Sequence, residues 1–242
     1  PLAGGSVTGS GNYTLGDPGR LALQVTGRGL PADAIAGAYG LPEAISIGTL
    51  SLDGEVSGPL DNLSGDFAWQ APDGTYPTRG LATLERNQIT LREAIVQVAG
   101  GTVVATGTLA NRAWNADIVA EGIQLGAFND SLQGSAVDGT GQFSGTLDDL
   151  TLAGIRGSGT VGALLAGGTL VSDFNLANGN WQACGEGRGI QLGLFSPDLQ
   201  GAAAATFQLA GNVDDLTLAG IRGDATVTLS EGKRSPPNRE YI

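Results

Sequence analysis

No histidine and no methionine occur among the 242 residues of this chain, which carries one cysteine, one lysine and few aromatics (3 Trp, 4 Tyr, 6 Phe). Histidine is the commonest metal ligand and the side chain that most readily exchanges protons near neutral pH, so its absence removes most familiar catalytic arrangements. The expectation is a non-catalytic protein with no cofactor and no metal. Cys184 stands alone, cannot close an internal disulfide, and reads as a small inert side chain. No run of 18 or more apolar residues is present, and the stretch after Pro1 shows neither a charged n-region nor a cleavage site. Any membrane anchor is expected outside this sequence, and the lack of any Met reads the sequence as a piece of a longer chain.

What is present is glycine, 41 residues of it, with Ala, Leu, Thr, Asp and Val. That mixture suits turns and strands rather than helices. The formal charge of −12 creates a field that repels nucleic acid, so no nucleic-acid partner is expected.

Self-comparison reveals repeats. Residues 148–157 read DDLTLAGIRG, and residues 214–223 repeat all ten, 66 positions later. GIQLG at 122–126 returns at 189–193, and L-A-N-x-x-W at 109–114 returns at 176–181, both offset by 67. A diverged copy opens at Gly29, and its G-x-L-D-N-L at 58–63 aligns with 145–150 and 211–216. The expected organisation is a partial unit over 1–28, a unit over 29–121, a unit over 122–188, and a partial unit over 189–232. The tail 233–242 breaks the pattern and is expected to be extraneous or disordered.

Within each unit aliphatics recur at i and i+2, the signature of half-buried strands. The residues so placed are Leu21, Leu23, Val25, Leu50, Leu52, Ile89, Leu91, Val96, Val98, Ile118, Phe207, Leu209, Val227 and Leu229. Asn178-Gly179 signals a type I′ hairpin, and Asp148-Asp149, Asp214-Asp215 and Asp73-Gly74 read as turns. Neighbouring strands are therefore expected to be antiparallel. One short helix is expected over 31–39.

An aliphatic sheet face must be covered, because exposing it costs about 25 cal/mol for each Å². No amphipathic helix of useful length is written here, and the core of a sandwich would recruit more aromatics. The remaining solution is an all-β fold in which one long antiparallel sheet curls into an open groove, with glycines permitting the bends. Strands of about eight residues give a wall roughly 26 Å across, and roughly 20 of them extend it on the order of 90 Å. An aliphatic concavity without polar landmarks suits hydrocarbon chains, so the 14 residues above are the candidate lipid-lining set. The competing architecture is a parallel β-helix of the surface-adhesin or autotransporter-passenger kind, whose rungs of about 20 to 25 residues are not found inside the 67-residue unit.

The recurring G-x-L-D-D-L-T-L-A-G, the W-x-A strands at Trp114 and Trp181, and G-G-T-V-V-A-T-G-T-L at 100–109 resemble the TamB and AsmA-like envelope proteins (the translocation and assembly module family). The resemblance spans most of residues 1–232. It implies a repeating β-groove (β-taco) protein of the periplasm, anchored to the inner membrane by a segment absent here and reaching toward the outer membrane. It further implies phospholipid acyl chains as cargo, a role in outer-membrane biogenesis, and an outer-membrane barrel protein as a partner.

Other motifs read as structural. Gly157, Gly159 and Gly162 spell G-x-G-x-x-G, but the run after Gly162 is too short and too Gly-rich to form the helix that receives a pyrophosphate. The Asp pairs recur with the repeat and so read as turn carboxylates rather than calcium ligands or a catalytic dyad. Trp69, Trp114 and Trp181 read as strand residues packing on neighbours, and Arg156 and Arg222 as outer-face residues pairing with nearby carboxylates.

Overall fold

The structure is a computed structural model and describes residues 4–34, 46, 48–165, 167–194, 201–215 and 217–230. Fourteen strands follow one another: β1 (Ser6–Thr14), β2 (Arg20–Pro31), β3 (Thr49–Pro59), β4 (Ser64–Ala71), β5 (Thr78–Glu85), β6 (Gln88–Val98) and β7 (Gly101–Ala110). They continue as β8 (Ala113–Gln124), β9 (Ala136–Thr146), β10 (Arg156–Leu165), β11 (Gly168–Ala177), β12 (Asn180–Gln191), β13 (Ala202–Asn212) and β14 (Arg222–Ser230). All belong to one sheet in sequence order, each antiparallel to its chain neighbours. The sheet does not close: β1 and β14 are its two edges. A parallel β-helix is not what this chain builds.

The strands are longer and fewer than the periodicity suggests. They run from 8 to 12 residues, so 14 of them give a sheet about 62 Å long at ~4.8 Å per spacing instead of ~90 Å. Five connections are two-residue turns, whereas those after β2, β8, β9, β12 and β13 run to nine residues or more. Asn178 and Gly179 take φ of 52° and 73°, as a type I′ turn requires. Arg86-Asn87, Ala99-Gly100 and Asn111-Arg112 also hold two consecutive positive φ values, although Arg and Ala are unusual there. The right-handed twist of paired strands selects this turn, and the local residues comply at a cost of about 1–2 kcal/mol each. Of the helix expected over 31–39, Pro31 instead ends β2, residues 32–34 are helical, and 35–39 lie outside the described residues, as does the tail 233–242.

Each repeat boundary falls on a β-bulge. Register slips between Gly27 and Leu30 in β2, between Ala120 and Ile123 in β8, and between Gly187 and Ile190 in β12. The extra residue is a glycine in the left-handed region: Gly29 (φ 60°), Gly122 (66°) and Gly189 (67°). At the second and third of these bulges the preceding strand supplies another glycine: a Cβ on Gly101 or Gly168 would collide with the bulge backbone.

Strand correspondence explains the unequal units. Gly29 to Gly122 is 93 residues and Gly122 to Gly189 is 67, so the first unit is longer by 26. β3, β4, β7 and β8 have counterparts in β9, β10, β11 and β12, and, apart from six further residues between the Gly29 bulge and the end of β3, the surplus is the hairpin β5–β6. Because it contributes two strands, it leaves the face parity of everything after it unchanged.

Ten strand positions are buried: Gly27, Leu30, Gly58, Ala71, Gly80, Gly101, Gly168, Ser172, Gly187 and Ala203. All ten lie on one face, hereafter the inner face. Substantial packing joins only adjacent strands and the short loop between β8 and β9, so no second layer of described residues sits over that face.

A candidate apolar groove

Residues directly opposite in an antiparallel pair share a face, so register can be followed across the whole sheet. Leu21, Leu23 and Val25 face Gly58, Val56 and Gly54; Leu30 faces Leu50, and Leu52 faces Trp69. The line continues through Ala82–Leu91, Leu84–Ile89 and Thr78–Val96, then Ile89–Leu109 and Val98–Gly101, then Ala105–Ile118. It ends with Ala183–Leu209, Gly185–Phe207, Ala205–Val227 and Ala203–Leu229. All 14 candidate lining residues thus fall on one continuous face, the inner one. Two irregularities, at Leu81/Ala82 and Leu91/Ala94, displace Arg92 and Glu93 and keep this parity across the inserted hairpin.

The inner face has a feature the alternation did not reveal. Phe67, Trp69, Trp114, Phe143, Phe174, Trp181 and Phe207 all lie on it, and each stands directly opposite a glycine: Gly54, Gly80, Gly145, Gly157, Gly159, Gly211 and Gly185 respectively. A Cβ on any of these glycines would lie 2.8 Å or less from the ring. The aromatics therefore recline across the neighbouring strand, which covers bare glycine backbone and keeps the trough unobstructed. The sequence signal existed, as aromatics and glycines on facing arms of a hairpin, but reading it requires the register.

This pairing also accounts for the G-x-G-x-x-G motif. Gly157, Gly159 and Gly162 all sit inside β10, with no helix after it; Phe143 lies on Gly157 from one side and Phe174 on Gly159 from the other. The two rings stack above β10 with centroids 6.0 Å apart and planes inclined by 28°.

The outer face is mostly polar, although Leu81, Val119, Leu164 and Val171 are exposed on it. Thr26 donates to Asp53, Gln142 to Asp117 and Thr160 to Asp173. Arg28 forks onto both oxygens of Asp53 at 2.8 and 3.0 Å, and Arg92 reaches Asp66 at 3.4 Å. The hydrogen bond from Arg28 is the main reason the Asp53 carboxyl sits below the ordinary carboxylate range. A depression of about 630 Å³ lies here, lined by Gln24, Thr26, Asp53, Glu55, Asp66 and Arg92. Asp53, Glu55, Asp66 and Arg92 put charge on its walls beside Val25, Phe67 and Leu81, which suits a hydrocarbon guest poorly. Cys184 is also exposed on this face, opposite Asp173 and Gln208.

The duplicated decapeptide forms the same loop twice. Asp149 accepts from the backbone N–H and hydroxyl of Thr151 (3.1 and 2.6 Å), and Asp215 accepts likewise from Thr217 (3.2 and 2.6 Å). Those bonds hold both carboxyls below their ordinary range, the hydroxyl contributing most. Asp148 pairs instead with Arg112 of the β7–β8 turn. Among the described residues no group of three His, Cys, Asp or Glu is placed to hold a metal ion. Arg156 donates to the Asn178 side chain at 3.3 Å rather than to a carboxylate, and Arg222 forms no ion pair with a described residue, which corrects the expected pairing.

No helix among the described residues is long and apolar enough to cross a membrane. No known protein family, curated protein or solved structure matches the chain.

Proposed function

We propose that the chain is a non-catalytic scaffold whose inner face carries the acyl chains of phospholipids. The observation that supports this most is an unbroken apolar face, spanning 14 strands, with no described element covering it. Burying a chain there contributes about 0.8 kcal/mol per CH₂ wherever along the trough it lies, so cargo can slide without meeting a deep trap. Reclined aromatics and opposing glycines present a smooth wall to such a guest. The resemblance to TamB and AsmA-like proteins extends the proposal to a periplasmic envelope bridge that carries lipid between inner and outer membranes or assists barrel-protein assembly, with the membrane contacts made by regions outside this sequence.

Photo-crosslinking side chains at Leu23, Leu52 and Val227 should capture phospholipid in cells, and those at Gln24, Asp53 and Thr228 should not. Register places the first set on the inner face and the second on the outer one. Equal lipid labelling of both sets, or none of either, overturns the proposal.

A further inference from the structure

The outer face of β8 to β11 carries a depression of about 560 Å³ that the lipid reading leaves unused. Register arranges its side chains as a grid of two rows across four strands. Asn115, Ser144 and Arg156 stand in line in the first row, with Ala177 beyond them. Asp117, Gln142, Ser158 and Asn175 stand in line in the second. At ~4.8 Å between strands and ~6.8 Å between alternate residues, the grid measures roughly 14 Å by 7 Å.

Part of this grid is already satisfied and part is not. Asn115 donates to Thr108 and Gln142 to Asp117, both at 2.8 Å, and Arg156 reaches Asn178 at 3.3 Å. The hydroxyls of Ser144 and Ser158 and the carboxamide of Asn175 bond to no described residue.

Ligand class follows from what these groups can satisfy. One Asp and one Arg cancel, so neither a polyanion nor a polycation is favoured. Ala177 is the only apolar side chain in the two rows, which excludes a hydrocarbon. The backbones of β8 to β11 are bonded to neighbours on both sides, so a peptide cannot be added there as a further strand. What remains is a neutral chain of hydroxyls and amides. The carboxamides of Asn115, Gln142 and Asn175 each present N–H and C=O together, the pair that an acetamido group returns, and the serines offer the same exchange to hydroxyls.

The first row recurs four strands on. Gln182, Ala210 and Arg222 stand in line in the same order of amide, small residue and arginine. With Asn180 and Asn212 they line another hollow, of about 510 Å³. Four strands span ~19 Å, so one extended polymer reaches both hollows.

We infer that the outer face binds an N-acetylated saccharide chain at these two hollows, through Asn115, Gln142 and Asn175 in the first of them. Neither row holds an aromatic ring to stack on a sugar, so the expected Kd is on the order of 1 mM. This inference does not depend on what the inner face holds.

An NMR titration of the full chain with a tetramer of N-acetylglucosamine tests it. The side-chain amide signals of Asn115, Gln142 and Asn175 should shift together, with a Kd at least about fivefold below that for maltotetraose, which has hydroxyls but no acetamido group. Asn175→Ala should weaken binding about fivefold, as the loss of one hydrogen bond does. Asn175 is exposed and bonds to no described residue, so its removal spares the fold. Asn12→Ala, on the outer face of β1, should leave the affinity unchanged. No shifts at about 10 mM sugar, equal affinity for the two tetramers, or undiminished binding by Asn175→Ala overturns the inference.

Discussion

Trp114 and Trp181 occupy equivalent repeat positions, and each buries an indole Nε1–H that finds no acceptor. A buried donor without a partner costs about 1–3 kcal/mol. What the rings contribute is coverage of Gly145 and Gly211, and a phenyl ring can do the same. Trp114→Phe is therefore expected to leave stability within about 1 kcal/mol of the native value, because the smaller contact area and the removed donor offset one another. Trp114→Ala should lower it by about 2 kcal/mol by baring the glycine. Urea midpoints of the two variants check this.

The loop carboxyls give a second test at the same scale. Asp149 and Asp215 have depressed native pKa values, so the stability they supply is present above the ordinary Asp range, about 3.9, and is lost as pH falls through the lowered native values. Thr151→Val removes the larger of the two bonds to Asp149 while leaving the backbone one. An NMR titration should then find Asp149 moved up toward its ordinary range and Asp215 unmoved, the second loop serving as an internal control.

At the scale of elements, the inserted hairpin β5–β6 is the informative feature. Nothing but adjacent strands packs substantially against it, and removing two strands preserves the face parity of the rest. Excising residues 74–99 takes out 26 residues and leaves Pro72-Asp73-Gly100 between β4 and β7. Pro-Asp-Gly suits a three-residue hairpin loop, with a type I turn and then a left-handed glycine. The shortened chain should keep its β-sheet circular dichroism and unfold cooperatively, as a repeat array losing one interchangeable module does. Loss of the folded spectrum would show that the hairpin is required for more than length.

At the scale of the whole molecule, the sheet is quasi-one-dimensional: each strand depends on two neighbours, and the end strands on one. Hydrogen exchange should therefore be fastest in β1 and β14 and slowest in the central strands β7 to β9 at low protein concentration. Uniform protection from one edge to the other would contradict this.

Strand character, antiparallel order and the shared face of the 14 aliphatics were legible from alternation, repeats and the Asn178-Gly179 turn, because pleating forces a period of two and short turns allow only antiparallel neighbours. Three things needed the tertiary structure. The turns at Arg86, Ala99 and Asn111 carry weak local signals because sheet twist imposes their shape from outside. The bulges at Gly29, Gly122 and Gly189 are visible only as slips in register. The pairing of every inner-face ring on β3 to β13 with an opposing glycine joins residues as far apart as Trp114 and Gly145, a relation set by strand pairing and not by spacing along the chain.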